Sequence, residues 1–302
     1  MDIDEYQARA LDTDQVSKTL GDEKSAAAVV IPLLGLAGEV GEILSEYKKY
    51  VRDGEAYLLF RDRAREELGD LLWYLACSTS KLGLRLSDVA EGNLQKCRAR
   101  WEQVGHDQMK LPIPRQSLDE GFPSTERLSR RMVAEFFAAE SGEARTRTTV
   151  DGAPFGDPLT DNRHVEDGYR FHDVLHLAYA AVLGWSPLTR KFLDRKRRSD
   201  PTVDEVEDGG RAIVIEEGIT ALVFSYAERR DFLRGLIRLD YELLRTVKTM
   251  TDHLEVSRRT AGEWEDAIMQ GFRAWNDINA QGGGRVELDL DAGRVRVLPL
   301  GT

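Results

Sequence analysis

The chain has 302 residues, and at about 150 residues per domain this length predicts two domains. Acidic residues outnumber basic ones by 53 to 42, for a net charge of −11, which disfavours a nucleic-acid partner because phosphate contacts need clustered lysine and arginine. Cys77 and Cys97 provide no disulfide framework, which is typical of a reducing compartment. With no signal sequence and no apolar run of membrane-spanning length, we expect a soluble, cytoplasmic protein without a membrane partner.

We predict that residues 1–110 form a helical domain. The first long helix is expected to begin at Pro32, a residue that suits the first helical turn. A second helix covers 64–82, where apolar residues recur at helical spacing. A third helix covers about 86–103, with Ser87 as its N-cap.

Two pairs of carboxylates mark the first two helices. Glu39 and Glu42 are three residues apart, and so are Glu67 and Asp70. Residues at this spacing share one helix face, so two helices packed against each other would bring four carboxylates together. Like charges about 4 Å apart repel by roughly 4 kcal/mol at an effective dielectric of ~20, so protons or hard cations must occupy the cluster. Mg²⁺ prefers oxygen ligands and substrate phosphates, so the pattern predicts a magnesium site for a polyphosphate.

The alternative for these acidic pairs is a solvated helix surface, since 31% of the chain is charged. Gly38 and Gly41 flank the first pair, and we expect them to allow the two helices to approach closely. The acidic positions also lie beside the apolar ones, at the edge of the predicted helix interface.

The second half of the chain follows a predicted linker at 111–125, which is rich in proline and glycine. We predict that 126–302 form a mostly helical domain. Its expected helices cover 126–140, 166–184, 187–197, 209–228, 231–249 and 260–279, with a loop and a short hairpin within 141–163. Alternating apolar residues over 285–298 predict a terminal β-hairpin.

A cluster of possible metal ligands lies in this half. His172 and His176 are four residues apart on one helix face, with Asp173 between them. With Glu216 or Glu217 they could form a metal site of two histidines and one carboxylate. The alternative is a pair of hydrogen-bonded histidines inside an otherwise apolar helix.

An internal similarity links the two halves. The segment 66–76 resembles 216–227, since both have two glutamates followed by an apolar helix. The second half could be a diverged repeat in which Thr220 replaces Asp70, or the match could be one of chance between two amphipathic helices. Six basic residues in 190–198 precede several acids, and we interpret them as a solvated helix end that pairs with those acids.

Residues 30–101 resemble the MazG-type, all-α nucleoside triphosphate pyrophosphohydrolase family. The resemblance rests on three segments: Leu36-Ala37-Gly38-Glu39-Val40-Gly41-Glu42; Glu66-Glu67-Leu68-Gly69-Asp70-Leu71-Leu72-Trp73-Tyr74; and Asn93-Leu94-Gln95-Lys96 with Arg100-Trp101. It implies hydrolysis of NTPs or dNTPs to the monophosphate and pyrophosphate. It further implies that Mg²⁺, with Mn²⁺ as an alternative, is held by the two carboxylate pairs. Residues 165–227 resemble the C-terminal halves of longer MazG-like proteins, a resemblance that does not indicate what activity this half has.

The family resemblance also predicts the architecture and the partners. We expect an all-α chain: a helical bundle of MazG type, then the mostly helical second domain. Copies of this bundle often pair, so we expect a homodimer or a higher homo-oligomer.

For the triphosphate, Lys96 and Arg100 are candidate phosphate ligands, Asn93 a phosphate or sugar ligand, and Tyr74 a base-stacking residue. The alternative for Asn93, Lys96 and Arg100 is that they lie on a solvated helix face and do not contact substrate. A nucleotide sensor with weak turnover and a separate metal site in the second half are the competing functions.

Overall fold

The computed structural model describes residues 1–15, 26–101, 117–138 and 145–299. The chain divides into two compact units, Met1–Arg98 and Ala99–Thr302, and each is described by itself. The described residues are mostly helical, with ten α-helices and five strands. No helix among the described residues is both long and apolar enough to cross a membrane.

The first unit consists of helices in its described part. They are α1 (Ile3–Asp12), α2 (Ala26–Asp53), α3 (Phe60–Lys81) and α4 (Leu86–Trp101), whose last residues pass into the second unit. Helices α2 and α3 form an antiparallel hairpin, in which the Tyr50 and Phe60 rings stack with their centroids 4.4 Å apart. Helix α2 ends at Asp53, and the following Gly54 has a φ of 60°, a conformation that favours glycine after a helix end.

Two predicted helix starts are wrong. Pro32 lies inside α2, because the apolar residues before it are helical as well. Ser87 is not an N-cap, since α4 begins one residue earlier at Leu86. The first turn of α4 is capped from α1: the backbone N–H groups of Leu86 and Ser87 donate to Gln7 Oε1 and Asp4 Oδ1. A tertiary contact therefore replaces the local cap that the sequence suggested.

The described part of the first unit has a small hydrophobic core. Its buried apolar side chains are Ala10, Ala76, Cys77 and Leu86, with Tyr6 and Trp73 packed against them. Many larger side chains on α2 and α3 are exposed, namely Leu33, Leu34, Val40, Leu44, Tyr47, Val51, Leu68, Leu72 and Leu75. An apolar surface of this extent is typical of a face that contacts a partner.

The second unit combines helices with one sheet. Its elements are β1 (Arg131–Ala138), β2 (Thr146–Val150), β3 (Ala153–Pro154), α5 (Asp173–Leu183), α6 (Pro187–Phe192), α7 (Pro201–Val206), α8 (Gly210–Glu228), α9 (Tyr241–Met250), α10 (Ala261–Gln281), β4 (Gly284–Asp289) and β5 (Arg294–Leu298). The five strands are antiparallel in the order β3-β2-β1-β4-β5. Every residue of α5 is buried, and α5 packs against α10 at Gly271, where a Cβ would lie 2.9 Å from Leu175.

The sheet corrects the predicted all-α fold to a mostly helical one. The predicted helix at 126–140 is instead a 3₁₀ turn, Ser124–Glu126, followed by strand β1. Met132, Ala134 and Phe136 are buried at a period of two, as in a strand with one face on a core. The helix-forming alanine, glutamate and methionine in this segment favoured the wrong assignment.

The helices predicted at 209–228 and 260–279 correspond to α8 and α10. The other three predicted helices are shorter in the structure: 166–184 is α-helical only from Asp173, 187–197 only as far as Phe192, and 231–249 only from Tyr241.

The terminal hairpin predicted at 285–298 corresponds to β4 and β5, and the loop at 141–163 contains the hairpin of β2 and β3. Helix α7 was not predicted; Asp200 caps it by accepting from the N–H groups of Thr202 and Val203. Because the second unit contains strands, its order of elements differs from that of the first unit. That the second half is a diverged repeat of the first therefore stays a prediction.

The stretch 117–125, which we predicted to be part of a linker, packs into the second unit. The Asp119 carboxylate is buried and accepts from the Leu128 N–H, from Arg130 and from Arg190, each at 2.9 Å. The rest of the predicted linker, 111–116, lies outside the described residues.

The basic run at 190–198 is partly buried, so its interpretation as a solvated helix end is wrong. Arg190 and Arg197 are each 1% exposed. Arg197 pairs with Asp208, one of the acids that follow the run, at 2.7 Å. The predicted pairing with the following acids is therefore present: the Arg197–Asp208 pair lies inside the unit, whereas Lys196 pairs with Asp204 at 2.6 Å in a partly exposed position.

Candidate functional site

The first candidate site lies between α2 and α3. One carboxylate oxygen each from Glu39, Glu67 and Asp70 lies within 4.8 Å of the other two. Glu39 is on α2, whereas Glu67 and Asp70 are one turn apart on α3. The antiparallel pairing of the helices therefore brings together three of the four predicted carboxylates.

The fourth carboxylate, Glu42, acts on the same cluster. Burial, contact with Glu39, and the charges of Glu39, Glu42 and Asp70 raise the pKa of Glu67. Glu39 and Glu67 are half-buried, while Glu42 and Asp70 are exposed. A half-exposed group of carboxylates that repel one another suits a hard, oxygen-preferring cation such as Mg²⁺ with room for waters and phosphates.

Glu46, one turn beyond Glu42 on α2, does not belong to this cluster. Its buried carboxylate accepts hydrogen bonds from Lys49 and Tyr57, which lower its pKa. On the acidic face of α2, Glu46 is therefore neutralised by its own partners, whereas Glu39 and Glu42 contribute to the cluster with excess negative charge.

The close approach of the two helices occurs at Gly35. A Cβ on Gly35 would lie 2.2 Å from the ring of Tyr74, whereas a Cβ on Gly38 or Gly41 would meet no atom of the described residues within 4 Å. Our prediction that Gly38 and Gly41 allow the approach is therefore wrong. The Tyr74 ring packs on the backbone of α2 at Gly35 instead, four residues along each helix from Glu39 and Asp70.

The predicted substrate-binding residues lie on different elements. Tyr74 is half-buried on α3, with its ring edge-to-face with Trp73 at 4.9 Å. Asn93 and Lys96 are exposed on α4, and all side chains from 91 to 98 are exposed. The side chain of Arg100 lies outside the described residues.

A second cluster lies in the second unit, between α5 and α8. One ring nitrogen each of His172 and His176 and one carboxylate oxygen of Glu217 lie within 4.8 Å of one another. His176 is completely buried, His172 is 7% exposed, and the Glu217 side chain is 42% exposed. Asp173, which we also predicted for this site, is not part of the group: Thr148 donates to its Oδ2 at 2.9 Å.

Hydrogen bonds define which nitrogen of each ring is available. His172 Nδ1 lies 2.8 Å from the Tyr169 carbonyl oxygen, and His176 Nδ1 lies 2.9 Å from Glu216 Oε1. A carbonyl and a carboxylate only accept, so both Nδ1 atoms donate, and in the neutral rings the lone pairs are on Nε2. His176 Nε2 is buried, has no hydrogen-bond partner in the described part of the chain, and lies 3.6 Å from Glu217 Oε2.

The sequence did not decide whether Glu216 or Glu217 accompanies the two histidines. In the structure Glu216 positions His176. Its carboxylate also accepts from the Ser186 hydroxyl at 2.6 Å and from the Leu188 N–H at 2.8 Å. Three donors therefore hold Glu216, which in turn orients His176. The adjacent Glu217 is the carboxylate that faces His172 and His176.

The buried groups around His176 have shifted pKa values. Burial opposes the charge on His176, but Glu216 and Glu217 outweigh it and raise its pKa to about 10. Burial, together with the neighbouring His176, lowers the pKa of His172 to about 4. Burial raises the pKa of Asp173 to about 6. Such groups gathered beside a half-exposed carboxylate are typical of functional sites.

The loop before α5 fixes the position of His172. The Asp161 carboxylate accepts from the backbone N–H groups of Gly168 and Arg170. Gly168 has a φ of 82° and packs against Trp275, whose Nε1 donates to the Gly168 carbonyl at 3.0 Å. The Tyr169 ring then stacks on His172 with centroids 4.2 Å apart. No motif in the sequence revealed this support.

Two family models match the chain. The model described as the MazG C-terminal domain matches residues 113–301, and the MazG nucleotide pyrophosphohydrolase domain matches 32–105. The chain belongs to the MazG family. The Gene 37 protein of Mycobacterium phage L5 is 37% identical to it over 102 residues, which cover 33% of this chain and 89% of that protein. No solved structure matches the chain.

The family match confirms the resemblance seen in residues 30–101 and in the second half. The carboxylates of the first cluster all lie within the MazG nucleotide pyrophosphohydrolase domain. The protein is therefore a hydrolase that acts on nucleotide phosphoric anhydrides. The second cluster lies within the MazG C-terminal domain.

Proposed function

We propose that the first unit is a Mg²⁺-dependent nucleoside triphosphate pyrophosphohydrolase, which converts an NTP or dNTP and water to the monophosphate and pyrophosphate. The observation that carries the proposal is the group formed by Glu39, Glu67 and Asp70, with oxygens within 4.8 Å of one another. Carboxylates at such distances, with the pKa of Glu67 raised by burial and by the neighbouring carboxylates, suit a divalent cation.

Each carboxylate has a role in this reaction. Glu39, Glu67 and Asp70 hold the metal, and Glu42 either completes the ligand set or orients the attacking water. The bound metal supplies neutralisation of phosphate charge and activation of that water. Mn²⁺ is an alternative ion, because it accepts the same oxygen ligands.

The substrate requires groups beyond the carboxylates. Tyr74, in the same hairpin, is a candidate to stack on the base. Lys96 and Asn93, exposed on α4, are candidates for the phosphates and the sugar, together with Arg100. A positively charged side chain near the triphosphate offsets the negative phosphate charge that the metal ion does not neutralise.

We also propose that the first unit works as a homodimer or a higher homo-oligomer. Its hydrophobic core in the described residues consists of four side chains, of which Leu86 is the largest, whereas α2 and α3 expose large apolar residues such as Leu34 (65%) and Leu44 (62%). Small units bury too little apolar surface to be stable alone, and a second copy packed on α2 and α3 would supply the missing burial. The same packing places a partner helix next to the carboxylates.

The activity is tested with the purified 302-residue chain, Mg²⁺ and a panel of NTPs, dNTPs and oxidised dNTPs, with products separated by anion-exchange chromatography. We expect a monophosphate and pyrophosphate, and a loss of more than about 100-fold in kcat for Asp70→Asn or Glu67→Gln. The matched control is Glu66→Gln, because Glu66 is adjacent, exposed and paired with Arg63 outside the cluster.

Two results would contradict the proposal. One is undiminished turnover in Asp70→Asn. The other is stabilisation of the folded protein by nucleotide and Mg²⁺ without product from any member of the panel, which would instead indicate a nucleotide sensor.

The oligomeric state is tested by light scattering after gel filtration. We expect Leu44→Glu to dissociate the assembly and to reduce activity, because the charge would be placed in an apolar interface. Ile237→Glu is the control, since Ile237 is 91% exposed in the second unit. A monomeric wild-type protein with full activity would refute the proposed assembly.

A further inference from the structure

We propose that His172, His176 and Glu217 form a second metal site, which binds one divalent transition-metal ion such as Zn²⁺ or Fe²⁺. The site is separate from the carboxylates of the first unit and differs from them in ligand chemistry. It assigns a metal-dependent role to the second half of the chain, independently of the proposed pyrophosphohydrolase activity.

The donor atoms converge without hydrogen bonds among them. His176 Nε2 is completely buried and has no hydrogen-bond partner among the described residues, an arrangement that is rare and destabilising in folded proteins. Glu217 Oε2 is 3.6 Å from this nitrogen, which is too long for a hydrogen bond. Two donors each about 2.1 Å from one ion can be up to about 4 Å apart, so a metal between them fits this separation.

The hydrogen bonds of the two rings leave both Nε2 atoms as ligands. His172 donates from Nδ1 to the Tyr169 carbonyl, and His176 donates from Nδ1 to Glu216. Metal-binding histidines characteristically donate their other N–H to a carbonyl or a carboxylate, which fixes the ring and increases its basicity. Both histidines therefore have the supporting partners of metal ligands.

The ligand set favours a transition metal over Mg²⁺. Imidazole nitrogen suits zinc, iron, copper and nickel, whereas Mg²⁺ prefers oxygen. Two imidazoles and one carboxylate provide three protein ligands, one fewer than a closed structural zinc site. The Glu217 side chain is 42% exposed, so the remaining positions open toward solvent on that side, where water or an anion can bind.

The competing occupant of the cluster is a proton. A protonated His176 ring would place an N–H on Nε2 that points toward Glu217 at 3.6 Å. The proton and the metal require the same lone pair, so the two states exclude each other. Metal-binding measurements distinguish them directly.

The test uses the full chain after chelator treatment and gel filtration. Zn²⁺ is titrated against a chromophoric chelator in excess Mg²⁺, and Co²⁺ is added separately to record its visible d–d spectrum. We expect one Zn²⁺ per chain that excess Mg²⁺ does not displace, and a Co²⁺ spectrum typical of mixed nitrogen and oxygen ligands. The titration is repeated in Asp70→Asn, which alters the first site only.

The variants identify the ligands. We expect His172→Ala to lower the Zn²⁺ affinity by more than about 100-fold, since loss of a mere supporting partner costs 10–100-fold. Glu217→Ala should lower it as well, and its half-exposed side chain can be removed without loss of the fold, as circular dichroism would verify. His253→Ala is the matched control, because His253 is exposed and outside the cluster.

Three results would overturn the second site. They are a folded wild-type protein that retains no Zn²⁺ in excess Mg²⁺, Zn²⁺ binding unchanged in both His172→Ala and Glu217→Ala, and Zn²⁺ binding lost in Asp70→Asn. The first would assign the cluster to a proton on His176. None of them depends on nucleotide hydrolysis, so failure of the second site and failure of the pyrophosphohydrolase proposal are separate results.

Discussion

His176 Nδ1 lies 2.9 Å from Glu216 Oε1, and both side chains are completely inaccessible to solvent. The same carboxylate accepts from the Ser186 hydroxyl and the Leu188 N–H, at the first turn of α6. Glu216 therefore joins α5, α6 and α8, and it orients the histidine of the second cluster.

Glu216→Gln should destabilise the second unit. The amide has nearly the same shape but brings an N–H₂ group toward donors that require an acceptor, and breaking a buried charged pair costs about 3 kcal/mol or more. Thermal unfolding followed by circular dichroism measures the effect. Glu217→Gln is the control, because its side chain is 42% exposed and the expected loss is below about 1 kcal/mol. Equal losses in the two variants would contradict a special role for Glu216.

Gly35→Ala and Gly38→Ala should have opposite effects on the first unit. At Gly35 the new methyl group would lie 2.2 Å from the Tyr74 ring, so the ring must move, at a cost of about 1–3 kcal/mol. At Gly38 a methyl group would meet no described atom within 4 Å, and alanine in place of glycine in a helix interior stabilises by about 0.5–1 kcal/mol. Chemical denaturation of the two variants gives both signs in one experiment. Stabilisation by both substitutions would show that α2 and α3 do not approach at Gly35.

Mg²⁺ should stabilise the first unit through its carboxylates. The ion relieves repulsion among Glu39, Glu67 and Asp70, and a hundredfold excess over its Kd adds about 2.7 kcal/mol. Calorimetric scans with Mg²⁺ and with EDTA measure the difference in Tm. We expect this difference to disappear in Glu39→Gln and to persist in Glu66→Gln. Persistence in both would place the ion elsewhere.

Asp119→Asn should destabilise the second unit by about 3 kcal/mol near neutral pH, because Arg190 would lose a buried partner. Burial opposes ionisation of Asp119, but Ser117, Arg190 and Arg130 together lower its pKa below the ordinary 3.8. A lowered folded-state pKa gives stability that is complete above 3.8 and is lost as the pH falls through the folded value.

The difference in Tm between wild type and Asp119→Asn should therefore stay constant from neutral pH down to about 4 and narrow below that. Asp194→Asn, at an exposed ion pair with Arg198, is the control and should change stability by less than about 1 kcal/mol. A difference that already narrows well above pH 4 would contradict the lowered pKa of Asp119.

The sequence predicted the acidic cluster because helical spacing is a local property. Glu67 and Asp70 share a face of α3 whatever surrounds that helix, and the short connection after Gly54 makes α2 its antiparallel neighbour. The same local reasoning identified His172 and His176 as one turn apart. Family resemblance then supplied the reaction, which spacing alone does not contain.

Tertiary structure decided what local patterns leave open. The segment from Arg131 to Ala138 has helix-forming residues but is a strand, because pairing with β2 and β4 satisfies its backbone and buries Met132 and Phe136. The contact at Gly35 depends on where Tyr74 of another helix lies.

The different roles of Glu216 and Glu217 were also determined only by the tertiary structure. The two residues are adjacent and chemically identical, so the sequence predicts only that one of them could accompany the histidines. Packing of α8 against α5 and α6 turns Glu216 toward His176 Nδ1 and Ser186, and leaves Glu217 facing the Nε2 side of His176. Spacing along one helix thus determined which side chains share a face, whereas the contacts between helices decided which atoms meet, because hydrogen bonds and burial depend on residues far apart in the chain.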